Sequence, residues 1–266
     1  MNGAGTRCVM LTAVLAAWAV VPAWAASHWQ RTFQLTGPAA LRLSTSQGGV
    51  QVRSWDENSI QVRIRVRGWS IGPDGVRITA RQNGGEVTVR IRTPRHDWGW
   101  ADHDVHVSVM APRRVRLHLS SGDGDLNIRG VNGPAWLRSG DGDITAEALA
   151  SGDLVAHSGD GNLRLTGRFG SVQASSGDGD IHFQADTGSA VRGAWMLRTG
   201  DGNLAVVLPA GMAANVDART GDGSIHLEGV QLQAGADRHH VHGQLHGGGG
   251  LVALRTGDGS IRLARD

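Results

Sequence analysis

Val115-Arg116-Leu117-His118-Leu119-Ser120-Ser121-Gly122-Asp123-Gly124-Asp125-Leu126-Asn127-Ile128 is the stretch from which the fold can be read. Leu117 and Leu119 precede the Gly-Asp-Gly core, Leu126 and Ile128 follow it, and polar residues stand between them. Strict period-two alternation on both sides of a glycine turn means two short strands, each with one buried face. The same core starts again at Gly140, Gly159, Gly177, Gly200, Gly221 and Gly257, so successive spacings are 18, 19, 18, 23, 21 and 36. Ser or Thr precedes every copy, and the flanks repeat as well, as in Leu163 and Leu165 or Ile261 and Leu263. Periodicity of this kind marks a repeat architecture.

Composition agrees. Glycine supplies 40 of 266 residues, while the charged fraction is only 19%. Because an interior glycine costs a helix roughly 1 kcal/mol, a helical bundle is excluded, and the regular apolar alternation excludes a disordered linker. At the corner, glycine in the first and third core positions is expected to supply positive φ and Asp to accept neighbouring N–H groups. The preceding Ser or Thr faces inward, where stacked hydroxyls can satisfy backbone groups.

Earlier in the chain the frame reappears in degenerate form. Leu41, Leu43 and Thr45 lead into Ser46-Gln47-Gly48-Gly49 and then Val50 and Val52, while Ile78 and Ala80 lead into Asn83-Gly84-Gly85 and then Val87 and Val89. A second corner recurs half a period later, in Gly130-Val131-Asn132-Gly133, Leu149 to Gly152 and Arg168-Phe169-Gly170. Two all-β topologies fit. One is an antiparallel β-hairpin meander, since Asp-Gly is a strong hairpin signal. The other is a parallel β-helix-like solenoid with about 18 to 23 residues per repeat, its corners stacked every ~4.8 Å. Repetition of one residue at one corner favours the solenoid, because a meander has no reason to reproduce it.

The run from Leu41 through Gly49-Val50-Gln51-Val52-Arg53-Ser54-Trp55-Asp56, the Val105 to Pro112 segment, the serial Ser/Thr-Gly-Asp-Gly repeats and the closing Gly247 to Leu263 resemble the bacterial putative-adhesin family. That resemblance implies an exported β-strand-repeat protein of the cell envelope, in a family long classed as a domain of unknown function. It carries no catalytic residues.

Residues 1–25 read as a signal peptide: Arg7, the apolar run Val9 to Val21, and Ala23-Trp24-Ala25 as a small-x-small cleavage site. Residues 26–266 are then expected to form a single β-repeat domain, with a degenerate, Trp-rich part over 26–115 and the regular Gly-Asp-Gly repeats over 116–266. Cys8, the one cysteine, leaves with the signal, so the mature chain is predicted to have no thiol chemistry. Every basic side chain is arginine and the formal net charge is only +2. Export and charge balance argue against nucleic acid as partner. No apolar stretch after the signal is long enough to span a membrane. The expected location is periplasm, cell envelope or extracellular space, and the candidate partners are a cell-surface glycan or an envelope protein.

Three groups invite a chemical reading. Asp123, Asp141, Asp160, Asp178, Asp201, Asp222 and Asp258 occupy one repeat position. In a solenoid they form a column, and two carboxylates ~4.8 Å apart repel by about 0.9 kcal/mol in water and about 3.5 at an effective dielectric of 20. Turn hydrogen bonds and the outward row Arg138, His157, Arg198, Arg219 and Arg255 are expected to offset this, which makes the column structural. A calcium column is the sharper reading, although the repeat is about twice as long as the calcium-binding nonapeptide. Catalysis by paired carboxylates, as in polysaccharide-active β-helices, fits poorly with aspartates that recur in every copy. His240, His242 and His246 would share a strand face as a zinc or copper site, against the plainer reading of a polar edge strand. Trp98 and Trp100 would stack on sugar rings or else cap the end of the β stack. No Gly-x-Ser-x-Gly elbow, phosphate loop or His-Glu-x-x-His occurs. The sequence therefore predicts a non-enzymatic, structural or adhesin-like surface module, with a glycan- or calcium-binding module as the alternative and no cofactor required.

Overall fold

The computed structural model describes residues 27–94 and 103–266, all strand and connection without helix. In the N-terminal part run β1 (His28–Gln34), β2 (Ala39–Thr45), β3 (Gly49–Trp55), β4 (Ser59–Arg67), β5 (Arg77–Asn83), β6 (Glu86–Arg92) and β7 (Asp104–Pro112). The repeats then give β8 (Val115–Ser121), β9 (Leu126–Arg129), β10 (Ala135–Arg138), β11 (Ile144–His157), β12 (Leu163–Ser175), β13 (Ile181–Ala185), β14 (Trp195–Arg198) and β15 (Leu204–Leu208). The chain closes with β16 (Ala214–Thr220), β17 (Ile225–Glu228), β18 (Gln233–Ala236), β19 (His240–Leu245), β20 (Leu251–Thr256) and β21 (Ile261–Arg265).

Each Gly-Asp-Gly joins two strands that do not pair with each other. β8 pairs in parallel with β2 and β10, whereas β9 pairs in parallel with β3 and β11. The corner therefore carries the chain from one parallel ladder to a second, facing one, which is the solenoid and not the hairpin meander. β11 and β12 run unbroken through the second corner, where a bulge between Ala146 and Leu149 and a positive φ of 51° at Ala148 turn the strand. They join both ladders into one sheet wrapped around the core. Inward residues are the apolar positions of the repeat, with Leu117, Leu119, Leu126, Ile128, Leu163, Leu165 and Ile181 at most 2% exposed. Phe169, Phe183 and Trp195 fill the middle, with successive ring centroids 5.0 and 5.2 Å apart and the Trp195 indole N–H donating to the Gly170 carbonyl at 3.0 Å.

Glycine is needed at the corner for a reason other than the expected one. None of the glycines in the seven Gly-Asp-Gly copies has a positive φ; only Gly48, in the third position of the degenerate Ser46 to Gly49 copy, has one, of 94°. Instead the backbones of adjacent coils meet: Gly140 N–H donates to Gly122 O, Gly159 to Gly140, Gly177 to Gly159 and Gly200 to Gly177, at 2.5–2.6 Å. A Cβ at Gly200 or Gly257 would stand 2.6 or 2.7 Å from the carbonyl oxygen of the coil beneath, inside any tolerable contact. Each second core glycine is closed off in the same way by the coil beneath.

Coil order departs from chain order at both ends. Gly257 N–H donates to Gly200 O and Gly221 N–H to Gly257 O, so the last repeat lies between its two predecessors. β20 accordingly pairs with both β14 and β16. The 36-residue spacing houses the β18–β19 hairpin, whose β19 lies antiparallel on the outer edge of β16. At the other end β2 pairs with β6 on one side and β8 on the other. The Ser46-Gln47-Gly48-Gly49 copy is a true corner, with Gly122 N–H donating to Thr45 O at 3.1 Å. The Asn83-Gly84-Gly85 copy is not: Asn83 faces Glu86 across an antiparallel β5–β6 hairpin, and Gly84 turns it with a φ of 58°. Here the local hairpin signal prevails over the repeat frame. A further antiparallel pair, β1 on β4, covers the outer edge of β7.

Two stability outcomes follow. Gly161→Ala is expected to lower the unfolding free energy by about 1–3 kcal/mol or more, because its Cβ would collide with the Gly142 carbonyl. Gly152→Ala, with open space around it and no positive φ, should change stability by less than about 0.5 kcal/mol; denaturant midpoints compare the two. Ending the chain at Gly250 removes the strands between β14 and β16 and leaves a gap of about 9.6 Å. Limited proteolysis should then cut within residues 214–250 while 103–208 stay protected.

Candidate ligand-binding face

The corner chemistry is carried by hydroxyls. Ser139 Oγ donates to Gly124 O at 2.9 Å and accepts the Gly142 N–H at 3.2 Å; Ser158 and Ser176 repeat both bonds on their own coils. Thr199, Thr256 and Thr220 continue the donation to Gly179, Gly202 and Gly259, at 2.7–2.8 Å. The three serines, and Thr220, which accepts the Gly223 N–H at 3.1 Å, thus tie their own turns to the adjacent coil. Asp123, Asp141, Asp160, Asp178, Asp201, Asp222 and Asp258 all lie exposed in the bends. Among the described residues none of these carboxylates accepts a turn hydrogen bond or enters an ion pair, so the expected Asx bonding is made by the neighbouring hydroxyl.

The second acidic position behaves differently. Asp143 N–H donates to Asp125 Oδ1, Asn162 N–H to Asp143 Oδ1, Asp180 N–H to Asn162 Oδ1 and Asn203 N–H to Asp180 Oδ1, all at 2.7–3.0 Å. These side chains form an exposed ladder that satisfies backbone N–H groups between coils. Arg138, His157, Arg198, Arg219 and Arg255 share an outward row on the first ladder, but none pairs with the aspartate column. Arg255 and Arg219 grip Asp217 at 2.6 and 3.3 Å, and His240 Nε2 is 3.1 Å from the same carboxylate. Burial alone would raise Asp217, but Arg255, Arg219 and His240 outweigh it and hold the carboxyl below its ordinary value.

His240 and His242 project outward from β19 with rings 4.9 Å apart, while His246 sits in the turn beyond, at a φ of 48°. Asp237 accepts the N–H groups of His239 and His240 at 2.8 and 2.6 Å, which fixes the entry to the strand. Among the described residues no three His, Cys, Asp or Glu side chains are gathered to hold a metal ion. The calcium reading of the aspartates and the zinc or copper reading of the histidines thus have no such cluster to rest on. Trp98 and Trp100 lie outside the described residues.

A site the sequence reading passed over lies on the outer face of the first ladder. Register places Arg42, His118, Trp136 and Val155 side by side on β2, β8, β10 and β11. His118 and Trp136 stack with ring centroids 4.0 Å apart and planes 20° from parallel. They floor a groove of about 200 Å³ walled by Arg116, Pro134 and Asp153, with the Arg42–Glu86 ion pair (2.6 Å) at one end. Burial pushes the His118 imidazole below its usual value and the Arg42 charge adds to that, so the ring is neutral at pH 7. The signal was available: Ala135 and Leu137 face the core, so Trp136 between them must face out. A half-buried indole flanked by fixed polar groups can stack a flat apolar ring face while charged neighbours orient its substituents.

The fold and this face define a β-solenoid repeat protein whose conformation is set inside and whose chemistry varies outside. Residues 28–264 match the family model described as Toastrack DUF4097, and the chain belongs to that family. Comparison with curated proteins gave no match. Among solved structures the chain is similar to a putative cell adhesion protein from Clostridium sporogenes, with 12% identity, 90% of this chain and 100% of that one covered, and a TM-score of 0.40. It is similar also to a putative adhesin from Bacteroides fragilis (12% identity, 90% and 97% covered, TM-score 0.48). A putative lipid binding protein from Parabacteroides distasonis gives 13% identity, 89% and 96% coverage and a TM-score of 0.46.

NMR titration of the ring protons should find His118 below the ordinary histidine value of 6.5, and Arg42→Ala should raise it part of the way back. Because the folded value is the lower one, this residue's contribution to stability is complete above pH ~6.5 and is lost as pH falls through the folded value.

Proposed function

We propose that the chain is an exported, non-enzymatic module of the cell envelope that holds a ligand on the outer face of its first ladder, as an adhesin-like surface protein does. The observation that carries this reading is the Trp136–His118 stack, an aromatic platform turned outward where the fold does not require one. Membership of the Toastrack DUF4097 family supports the β-solenoid scaffold that carries this face. The pattern of residues 1–25 supports export with cleavage after Ala25, leaving 26–266 as the working domain. No helix of the described residues is long and apolar enough to cross a membrane. A scaffold whose acidic residues recur in every coil supports binding over catalysis, since a catalytic pair is a local departure from the repeat.

The test has two parts. N-terminal sequencing of the protein recovered from its host's envelope fraction should begin at Ala26. Surfaces coated with the protein should retain isolated envelope material, and Trp136→Ala should reduce that retention about tenfold, in line with loss of one aromatic contact. Uncleaved protein confined to the cytoplasm would refute the export reading, and equal retention by both proteins would refute the platform.

A further inference from the structure

The β5–β6 hairpin carries a second feature on the same outer face. Arg77 lies directly opposite Arg92, Thr79 opposite Arg90 and Arg81 opposite Thr88. The four guanidinium groups and two hydroxyls line a groove of about 230 Å³. Like charges set opposite each other across a strand pair are destabilising. Among the described residues none of the four has a carboxylate partner; Arg77 alone makes a side-chain hydrogen bond, to the Pro73 carbonyl at 3.2 Å. Glu86, the one carboxylate on β6, is already taken by Arg42. Protection of a free sheet edge would explain charge on β5, which is the edge strand. It does not explain Arg90 and Arg92, which stand on β6 with a strand on either side.

One register row, entered through Arg81 and Thr88, links this cluster to the aromatic platform. Cross-strand register runs Arg81, Thr88, Arg42, His118, Trp136 and Val155 without a break. From β5 to β10 that is four strand spacings, or about 19 Å. Charge along the chain points the same way. Residues 26–115 hold 13 arginines and 7 carboxylates, whereas 116–266 hold 12 and 17. An anionic ligand is therefore drawn to the N-terminal end and repelled from the other, which fixes where along the solenoid it lies.

We infer that the face from β5 to β10 is a binding track for an acidic polysaccharide. Arg77, Arg81, Arg90 and Arg92 take its carboxylate, sulfate or phosphate groups through forked hydrogen bonds, and Trp136 stacks a sugar ring further along the same chain. The aromatic platform is what favours a polysaccharide over an anionic membrane surface, since the Trp136 ring is half-buried and stacked on His118 in the floor of a groove, where it offers a flat face to a sugar ring and does not project as a side chain inserting into a headgroup layer would. This inference rests on the binding-module reading above and adds the class of ligand.

Isothermal titration of the purified protein with polygalacturonate, dextran sulfate and uncharged dextran tests it, at low and at raised salt. Binding is expected to the two acidic polymers and not to dextran, and it should weaken as salt rises. Arg90→Gln with Arg92→Gln should weaken it about tenfold or more and flatten the salt dependence. Trp136→Ala should weaken it with the salt dependence kept, and Arg164→Gln on the opposite ladder should leave it unchanged. Melting curves confirm that each variant is folded. No affinity for either acidic polymer, equal affinity for dextran, or indifference to the paired arginine substitutions would overturn the track. Tight binding to phosphatidylglycerol vesicles that is insensitive to Trp136→Ala would overturn it in favour of a membrane. Acidic-polymer binding by a protein that is never exported would sustain the track while refuting the envelope reading, and an exported, adhesive protein blind to polyanions would do the reverse.

Discussion

Backbone meets backbone at the Gly-Asp-Gly corner, and the rest of the structure depends on that contact. Where the first core glycines from Gly140 onward donate their N–H to the glycine of the adjacent coil, and Gly122 donates to Thr45, the space that a Cβ would need is occupied by a carbonyl. Only glycine permits coils to approach this closely while both ladders keep their ~4.8 Å spacing. Once the corner is fixed, the alternation on either side has a single register available, because a slip of one residue would turn every Leu and Ile outward. The Ser hydroxyls and that of Thr220 complete the corner by joining the second glycine's N–H to the adjacent coil's carbonyl, while Thr199 and Thr256 make the bond to the carbonyl. Among the described residues no buried side-chain polar atom is left without a partner.

This separation of tasks leaves the outward rows free. The turn is held by glycine backbone and by the hydroxyl before it, so the Asp carboxylate between the glycines contributes no bond to the corner, and nothing in the structure explains why Asp recurs there. The adjoining Asp, Asn and Ser positions do serve the fold, by accepting N–H groups along an exposed ladder. Elsewhere on the outside, side chains are unconstrained by the coil. A large aromatic such as Trp136, or an opposed pair such as Arg77 and Arg92, is consequently more informative about function than any residue that follows the repeat.

Much of the fold was legible because it is local. Period-two alternation placed the strands, the glycine core placed the corners, and Leu41 to Val52 was recognisable as a further coil. The ends were not legible, since pairing partners there are set by non-local competition. Nothing in the final Leu251 to Leu263 repeat says that it enters between two earlier coils, and Asn83-Gly84 reads equally as corner or hairpin until β6 is seen to pair with β2. The reason for glycine was misjudged for a similar cause: φ is a property of one residue, whereas close approach needs a neighbour that only the stacked structure supplies. Trp136 was readable by parity from Ala135 and Leu137. The arginine groove was not, because Arg77 and Arg92 become neighbours only when the hairpin closes.

The out-of-order ends also bear on the candidate face. A solenoid stacked in simple sequence order ends on a coil held from one side, and such a terminal unit frays first. At the C-terminal end the chain steps past a position, builds the outer coil, and returns to fill the place left open; at the N-terminal end it starts one coil in, lays β6 outside β2, and then continues on the other side of β2. β2 is thereby clamped between β6 and β8, and the β5–β6 hairpin is bound into the same ladder as β8 and β10. Arginines on a free hairpin would keep their side-chain and backbone freedom and lose it on binding. Set in a continuous ladder, Arg90, Arg92, Arg42 and Trp136 keep spacings fixed by strand register, so a repeating ligand is matched by its own period and little of the binding energy is spent on ordering the protein.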